Sequence, residues 1–255
     1  MLGKNIDLSG KVALVTGGSR GLGKDIALAM SENGAKVIIC GRKKGNLDQI
    51  AEEFRKRGLD LMAQDVNIGK SDQVGTLMQA IDERFGELNI LVNNAGMNLW
   101  TPSVVEADEG LWDKIVETNL KGTYLVSKYA VPLIKRGGGG KIINISSIAA
   151  RKVGKGMGIY CVAKAGMEML TRVLAFELAR DNINVNAVAP GVIKTSFSRP
   201  LWGDESALNE ILKTIPLGRI AETGDVVGAV LFLASGLSNF ITGEVITVDG
   251  GSMVH

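Results

Sequence analysis

The stretch KVALVTGGSRGLGKDIALAM, residues 11–30, joins a short apolar run to an amphipathic helical pattern through a glycine-rich turn. Its glycines at positions 17, 21 and 23 give the pattern T-G-x-x-x-G-x-G. Glycines let a backbone turn tightly and approach a pyrophosphate, and the free N–H groups that open the next helix favour negative charge. The stretch therefore predicts a first strand followed by a dinucleotide-phosphate loop.

The same alternation of strand and helix patterns continues along the chain. Short runs rich in β-branched residues occur at 11–17, 35–40, 59–66, 88–96, 140–147, 183–191 and 243–251. Segments with helical apolar spacing lie between them, for example at 24–34, 71–86 and 165–180. This pattern predicts an α/β fold, a Rossmann-type doubly wound parallel sheet of seven strands with helices on both faces. We expect one domain over residues 1–255, with a small substrate lid at about 193–215.

Small and hydrogen-bonding residues follow several of the predicted strands. The apolar runs end in Thr16-Gly17-Gly18, Asp65, Asn93-Asn94-Ala95-Gly96, Ser146-Ser147 and Pro190-Gly191. In an open parallel sheet, ligands bind outside the carboxyl ends of the strands. These residues therefore predict a ligand site along one edge of the sheet.

Composition narrows the classes of partner. The 255 residues carry a net charge of +2 with no extended basic run, which argues against nucleic acid or an anionic membrane surface as partner. The sequence shows no apolar stretch typical of a signal peptide or membrane span, so we expect a cytoplasmic protein. Cys40, Cys161 and His255 are scattered singly, so we expect no metal site and no histidine general base.

The end of the second strand bears on the choice of nicotinamide cofactor. An acidic residue there would accept hydrogen bonds from an unmodified adenosine ribose, but VIICGRKKGN (37–46) has Gly41 at that position, followed by Arg42 and Lys43. Arg20 of the glycine-rich loop is expected at the same corner. Such cations suit a 2′-phosphate, so NADP(H) is favoured and NAD(H) is the alternative, in which the basic turn is only solvated.

Taken together, these motifs resemble the short-chain dehydrogenase/reductase family over nearly the whole chain. The resemblance rests on TGGSRGLG (16–23), Asp65, NNAG (93–96), Asn119, Ser147, YCVAK (160–164), PG (190–191), Thr195 and VDGG (248–251), in that order. The residues that make up these motifs are similar to those of 3-oxoacyl-carrier-protein reductases, carbonyl reductases and gluconate 5-dehydrogenase-like members. The resemblance implies a nicotinamide-dependent oxidoreductase that interconverts a ketone and a secondary alcohol.

The resemblance also implies catalytic roles for four residues. Tyr160 is the acid/base, and Lys164 lowers the pKa of Tyr160 and binds the nicotinamide ribose. Ser147 hydrogen-bonds the substrate oxygen, and Asn119 holds a water in a proton relay through Lys164. The i, i+4 spacing of Tyr160 and Lys164 places both on one helix face, although that spacing alone is common in ordinary helices.

The cofactor contacts implied by the resemblance span the whole predicted edge. Thr195 and the backbone at Ile193 resemble carboxamide contacts, and Asp65 with Val66 resembles adenine contacts. The predicted cofactor-binding set is Gly17, Ser19, Arg20, Gly21, Leu22, Gly23, Arg42, Asp65, Val66, Asn93, Ala95, Gly96, Tyr160, Lys164, Pro190, Gly191, Ile193 and Thr195.

Substrate and assembly are less constrained by the sequence. Met157 and Trp202 are expected to line the substrate pocket with Ser147 and Tyr160, and the basic residues of 148–158 are candidates for an anionic tail. A 3-oxoacyl-carrier-protein or coenzyme A reductase, with acyl carrier protein as a partner, and a polyol dehydrogenase are the alternatives. A catalytically silent nicotinamide-binding regulator is the alternative from another class. Apolar residues on 122–134 and 165–178, together with the resemblance, predict a homotetramer.

Overall fold

The computed structural model describes residues 6–101 and 103–254, which build one seven-stranded sheet in the order β3-β2-β1-β4-β5-β6-β7. All neighbouring strands pair in parallel. The strands are β1 (Val12–Thr16), β2 (Lys36–Gly41), β3 (Leu61–Asp65), β4 (Ile90–Asn93), β5 (Gly140–Ile145), β6 (Ile183–Pro190) and β7 (Val245–Val248). The predicted doubly wound parallel sheet is thereby confirmed.

Helical segments cross over between the strands. They are α1 (Gly21–Glu32), α2 (Lys44–Lys56), α3 (Ser71–Phe85), α4 (Glu109–Val116), α5 (Gly122–Arg136), α6 (Gly158–Leu178), α7 (Glu205–Leu212) and α8 (Thr223–Ala234). A π-helical turn at Glu117–Lys121 joins α4 to α5, and short 3₁₀ turns follow β5 and α6. The glycine run after Arg136 ends α5 and turns the chain into β5, with Gly138 and Gly139 at positive φ.

Alternate residues of the strands enter two separate cores. On β1, Ala13 and Val15 join the core that α1, α2 and α8 cover. Val12 and Leu14 join the opposite core, under α3, α5 and part of α6. Because successive strand side chains point to opposite faces, the unbroken apolar run Val12–Val15 of β1 is what a strand covered by helices on both faces requires.

The strand order reverses between β1 and β4, which lie side by side at the centre of the sheet. Crossovers from β1 lead outward to β2 and β3, whereas those from β4 lead toward β7. At such a reversal, the loops that leave the two strands diverge and open a crevice at their carboxyl ends. The glycine-rich turn and the NNAG segment stand on its two sides.

None of the helices within residues 6–101 and 103–254 combines the length and the apolar character needed to cross a membrane.

Candidate active site

The glycine-rich turn is built for a close backbone approach. Gly17 has φ +67°, and a Cβ added there would lie 2.9 Å from Ala95 Cα. A Cβ on Gly23 would collide with the Asn94 side chain and with the Gly17 carbonyl. The first turn of α1 is Gly-Leu-Gly-Lys, so its N–H groups stand at the positive end of the helix dipole. These residues fit the pyrophosphate of a dinucleotide.

Two residues outside the predicted set hold this turn against the end of β4. The Thr16 hydroxyl accepts hydrogen bonds from the backbone N–H groups of Asn94 and Ala95, both at 3.0 Å. The Asn94 amide donates back to the carbonyls of Thr16 and Gly17, at 2.9 and 3.3 Å. The signal was present in the sequence, because Thr16 and Asn94 are the polar residues that end two neighbouring strands.

The side chain of the other asparagine of the pair, Asn93, has a structural role. Its side chain is buried and donates to Ser127 Oγ at 3.0 Å and to Asn144 Oδ1 at 2.9 Å. The Asn144 amide donates in turn to Thr171 on α6. The Asn93 side chain thus ties β4 to β5 and α5, and only the Asn93 backbone is left to contact a cofactor.

The predicted ribose corner lies at the ends of β2 and β3. Gly41 pairs with Asp65 in the sheet, and the Gly41 carbonyl accepts a hydrogen bond from the Val66 N–H at 2.9 Å. A Cβ built on Gly41 would lie 3.4 Å from Ser19 Oγ, so the glycine-rich loop borders this corner. Arg42, the next residue, is exposed and free to reach an anion there.

Tyr160 and Lys164 lie on successive turns at the start of α6. Tyr160 is 7 % exposed and forms a side-chain hydrogen bond with Ser147. Lys164 is 3 % exposed, and its Nζ lies 5.6 Å from the Tyr160 ring centroid. The ammonium group donates to the Ile145 carbonyl at 2.6 Å, at the carboxyl end of β5. The structure thus brings together Ser147, Tyr160 and Lys164.

Asn119 occupies the π-helical turn beside these residues and is fully buried. Its amide nitrogen donates to the carbonyls of Met97 and Ile115, at 2.7 and 2.8 Å, and its oxygen accepts from the Met97 N–H at 3.1 Å. A Cβ on Gly96 would lie 2.9 Å from Asn119 Oδ1 and 3.8 Å from Lys164 Nζ. The Asn119 side chain therefore fixes the segment after β4 next to Lys164.

The pKa values differ from the expectation that Lys164 lowers the pKa of Tyr160. Burial raises the pKa of Tyr160 to about 12, although the hydrogen bond from Ser147 opposes this shift. Burial also lowers the pKa of Lys164 to about 7. A buried site disfavours the charged form of each group. A depression of the Tyr160 pKa by Lys164 in the cofactor-bound site stays a prediction.

The segment after β6 closes over the glycine-rich turn. The Gly191 N–H donates to the Val248 carbonyl at 2.9 Å, which extends the pairing of β6 with β7 beyond Pro190. Ile193 forms a parallel bridge with Ala221. A Cβ built on Gly21 would lie 3.5 Å from Thr195 Cγ2. The predicted carboxamide contacts and the phosphate loop therefore border the same crevice.

Apolar side chains pack near the Tyr160 ring. Met157 packs in a cluster with Tyr160, and the Phe197 ring centroid lies 6.2 Å from that of Tyr160. Trp202 donates its indole N–H to Ser198 Oγ at 3.0 Å, so it braces the segment that carries Phe197.

Two of the three basic residues of the 148–158 segment form hydrogen bonds within the protein. Arg151 donates to Glu168 at 2.8 Å. Lys152 donates to the Ser252 carbonyl at 3.0 Å. Both side chains thus serve bonds within the protein, a use that sequence spacing does not reveal.

The parts of the chain that the structure describes contain no group of three or more His, Cys, Asp or Glu side chains placed to hold a metal ion. His255, considered above for proton chemistry, lies outside the described residues.

A family model described as "Enoyl-(Acyl carrier protein) reductase" matches residues 17–253. Dehydrogenase/reductase SDR family member 4 of Bos taurus is 38% identical over 248 residues, covering 97% of this chain and 89% of the relative. The chain belongs to the short-chain dehydrogenase/reductase family. Its members are enzymes that act on CH–OH or carbonyl groups with NAD or NADP.

Two further members of this reductase family show the range of similar proteins. The 3-oxoacyl-acyl-carrier-protein reductase of Thermotoga maritima is 36% identical, covering 97% of this chain and 99% of the relative. The crystal structure of a gluconate 5-dehydrogenase from Burkholderia cenocepacia, in complex with NADP and tartrate, is similar with a TM-score of 0.94. It is 31% identical and covers 98% of each chain.

Proposed function

We propose that the protein is an NADP(H)-dependent oxidoreductase that interconverts a ketone and a secondary alcohol, with Tyr160 as its acid/base. The observation that carries the proposal is the cluster of the half-buried Ser147 with the buried Tyr160 and Lys164, at the same sheet edge as the glycine-rich turn. A bound nicotinamide supplies or accepts the hydride. The side chains then have to manage one proton and the charge on the reacting oxygen.

The pKa directions favour proton donation by Tyr160. With a pKa of about 12, its hydroxyl is protonated at neutral pH and is ready to give a proton to the oxygen of a ketone that is being reduced. Ser147 donates to the same oxygen as negative charge develops there. Lys164, with a pKa of about 7, is divided between its charged and neutral forms at neutral pH, and its proposed role is to bind the nicotinamide ribose. Asn119 keeps the neighbouring segment in place.

The preference for NADP(H) rests on the corner at Gly41. Arg42 follows Gly41 and is exposed, Ser19 borders the corner, and Arg20, the residue after Ser19, is also exposed. A 2′-phosphate would accept charge-assisted hydrogen bonds from these groups, whereas a plain ribose would meet no carboxylate at position 41. The NADP bound to the similar gluconate 5-dehydrogenase agrees with this preference.

We further propose an uncharged substrate with an apolar substituent, held under a lid at about 193–215. Trp100 is 65 % exposed, and Val104, Val153 and Phe197 are also exposed around the entrance. Because Arg151 is bonded within the protein, the site favours this substrate class over an anionic one. Two alternative substrates agree with the names of similar proteins. They are a 3-oxoacyl thioester, with or without acyl carrier protein, and a polyol.

We also propose a homotetramer. Val162, Met169, Val173 and Phe176 form an exposed apolar stripe along α6, and Phe176 is 88 % exposed. Their spacing of seven, four and three residues keeps them on one helix face. Apolar patches of this kind on a monomer mark interaction surfaces.

The cytoplasmic location stays a prediction from the sequence.

The decisive experiment is Tyr160→Phe, assayed on a panel of apolar ketones, 3-oxoacyl and enoyl thioesters and polyols. We expect kcat on the best substrate to fall at least about a hundredfold while NADPH affinity changes little, because the ring stays and only the proton donor is lost. Tyr129→Phe is the matched control, because it also removes a tyrosine hydroxyl, but one that lies away from the site. That hydroxyl forms a hydrogen bond of 2.8 Å with Ser71 Oγ. Turnover of Tyr160→Phe equal to that of the control contradicts the role of Tyr160, whereas a wild type that binds NADPH but turns over no substrate of the panel favours a nicotinamide-binding regulator.

A further inference from the structure

A buried carboxylate on α6 contacts the segment that carries Ser147. Glu168 is 6 % exposed, and its Oε1 accepts a hydrogen bond from Ser146 Oγ at 3.2 Å. Its Oε2 accepts from Arg151 Nε at 2.8 Å. Ser146 and Arg151 stand immediately before and after the stretch formed by Ser147 and the 3₁₀ turn Ile148–Ala150. Glu168 therefore bonds both ends of the stretch that presents Ser147.

The same helix presents the proton donor. Tyr160, Lys164 and Glu168 are spaced by four residues along α6, so their side chains lie on one face over successive turns. One rigid element thus carries the acid/base, its neighbouring lysine and the carboxylate that grips the Ser147 segment. The distance between the Ser147 and Tyr160 hydroxyls is set by how this segment sits on α6.

Further bonds hold the segment from the other side. Arg151 also reaches Thr247 Oγ1 on β7 at 3.5 Å, and Lys152 donates to the Ser252 carbonyl at 3.0 Å. The Ser147 hydroxyl itself accepts from the Ala149 N–H at 3.1 Å, which shapes the turn locally. The bonds of Glu168 join the segment to the helix that bears Tyr160 at both of its ends, and the packing of Ala149 against α6 and the Ser147–Tyr160 hydrogen bond add to this attachment.

Stability alone gives a weak reason for such a pair. Burying a carboxylate costs solvation energy, and apolar residues of similar volume often replace a buried ion pair without loss of stability. Buried polar or ionic groups can instead select one structural arrangement, as when a single buried polar side chain fixes the register of two packed helices. At this place the arrangement fixed is that of two hydroxyls which have to meet the same substrate oxygen.

We propose that Glu168 and Arg151 are positioning residues that hold the Ser147 hydroxyl against Tyr160 during the reaction. The proposal rests on the proposed catalytic role of Ser147. It makes the effect of Glu168 conditional on Ser147, because a device that aligns one hydroxyl has nothing to align once that hydroxyl is removed.

A double-mutant cycle tests this dependence. In the wild-type background, Glu168→Gln keeps the size of the side chain but loses its charge, and we expect kcat to fall about tenfold with NADPH affinity unchanged. In a Ser147→Ala background, the same change should lower kcat by less than about twofold. Asp181→Asn is the control, because it removes the 2.6 Å ion pair with Lys135 at the opposite end of α6 and should leave kcat unchanged in both backgrounds.

Arg151→Met provides a second cycle that keeps the buried carboxylate and changes a partly exposed side chain, in case Glu168→Gln does not fold. It should show the same dependence on Ser147, and Arg151→Lys should recover part of kcat. Equal losses of kcat with and without the Ser147 hydroxyl, in whichever cycle folds, overturn the positioning role and leave a general structural one. A Ser147→Ala variant with normal kcat instead overturns the proposed function, so the two failures are distinct.

Discussion

Replacing Gly41 with Asp should switch the cofactor preference from NADPH to NADH. The structure has room for the change, because a Cβ at position 41 would be 3.4 Å from Ser19 Oγ and 3.7 Å from the nearest carbon of Leu47. The new carboxylate would stand at the end of β2, between Ser19 and Arg42. It would repel a 2′-phosphate and compete for the same cation, whereas a free ribose would donate hydrogen bonds to it.

The size of the switch follows from the contacts exchanged. Losing one charge-assisted contact to the 2′-phosphate costs about 1.5–3 kcal/mol, which weakens NADPH about ten- to a hundredfold. A carboxylate that accepts from a ribose hydroxyl should strengthen NADH binding by about tenfold at this exposed site. The ratio of the two dissociation constants should therefore move by roughly a hundred- to a thousandfold.

The assay is titration of each cofactor by protein fluorescence, with kcat/KM for both measured on one substrate. Gly45→Asp is the matched control, because it adds the same charge in the first turn of α2, where a built Cβ meets nothing within 4 Å. Arg42→Ala should weaken NADPH about ten- to a hundredfold and leave NADH almost unchanged. A wild-type protein that prefers NADH, or an equal shift in Gly41→Asp and Gly45→Asp, would refute the reasoning.

Four further outcomes are expected. Ser147→Ala should cost about 2–4 kcal/mol of transition-state stabilisation in kcat/KM, and an unchanged value would remove Ser147 from the site. Asn94→Ala should raise the cofactor dissociation constant about tenfold, by freeing the glycine-rich turn, while kcat at saturating cofactor holds. Phe176→Glu should dissociate the assembly, as seen by light scattering, and an unaltered mass would exclude this face from the interface. Burial lowers the pKa of Lys141 from 10.5 to about 8, so between these pH values the folded chain binds fewer protons than the unfolded chain. This group therefore makes the free energy of unfolding rise with pH. Denaturant unfolding of Lys141→Met should show a shallower rise of that free energy from pH 8 to 10.

The fold could be predicted because its signals are local and repeat along the chain. Each strand is a short apolar run, and the crossovers have helical apolar spacing, so each element can be predicted from its own residues alone. The glycine-rich turn then fixes which strand comes first and where the ligand edge lies. The π-helical turn at Glu117–Lys121 was not predicted, because one inserted residue in a helical pattern changes the apolar spacing too little to be noticed.

The parts of the site that escaped prediction depend on where a polar side chain points. Asn93 and Asn94 are adjacent and chemically identical, yet one faces the core beneath α5 and the other holds the glycine-rich turn. Alternation along the strand explains the difference once the sheet is known. Arg151 was assigned to solvent or substrate because its partner Glu168 lies seventeen residues away on another element. Pairings of this kind are set by packing, which sequence spacing does not encode.

The pKa values of the site add a constraint on how the reaction is driven. Burial shifts both groups towards their neutral forms, so at neutral pH Tyr160, with a pKa of about 12, is protonated, while Lys164, with a pKa of about 7, is divided between its charged and neutral forms. Reduction of a ketone suits this state, because it needs Tyr160 protonated. Oxidation of an alcohol needs the phenolate, and the chain's own contribution to that form is the hydrogen bond from Ser147. The positive charge of an oxidised nicotinamide is the remaining source of stabilisation, so proton removal by Tyr160 should be coupled to which form of the cofactor is bound.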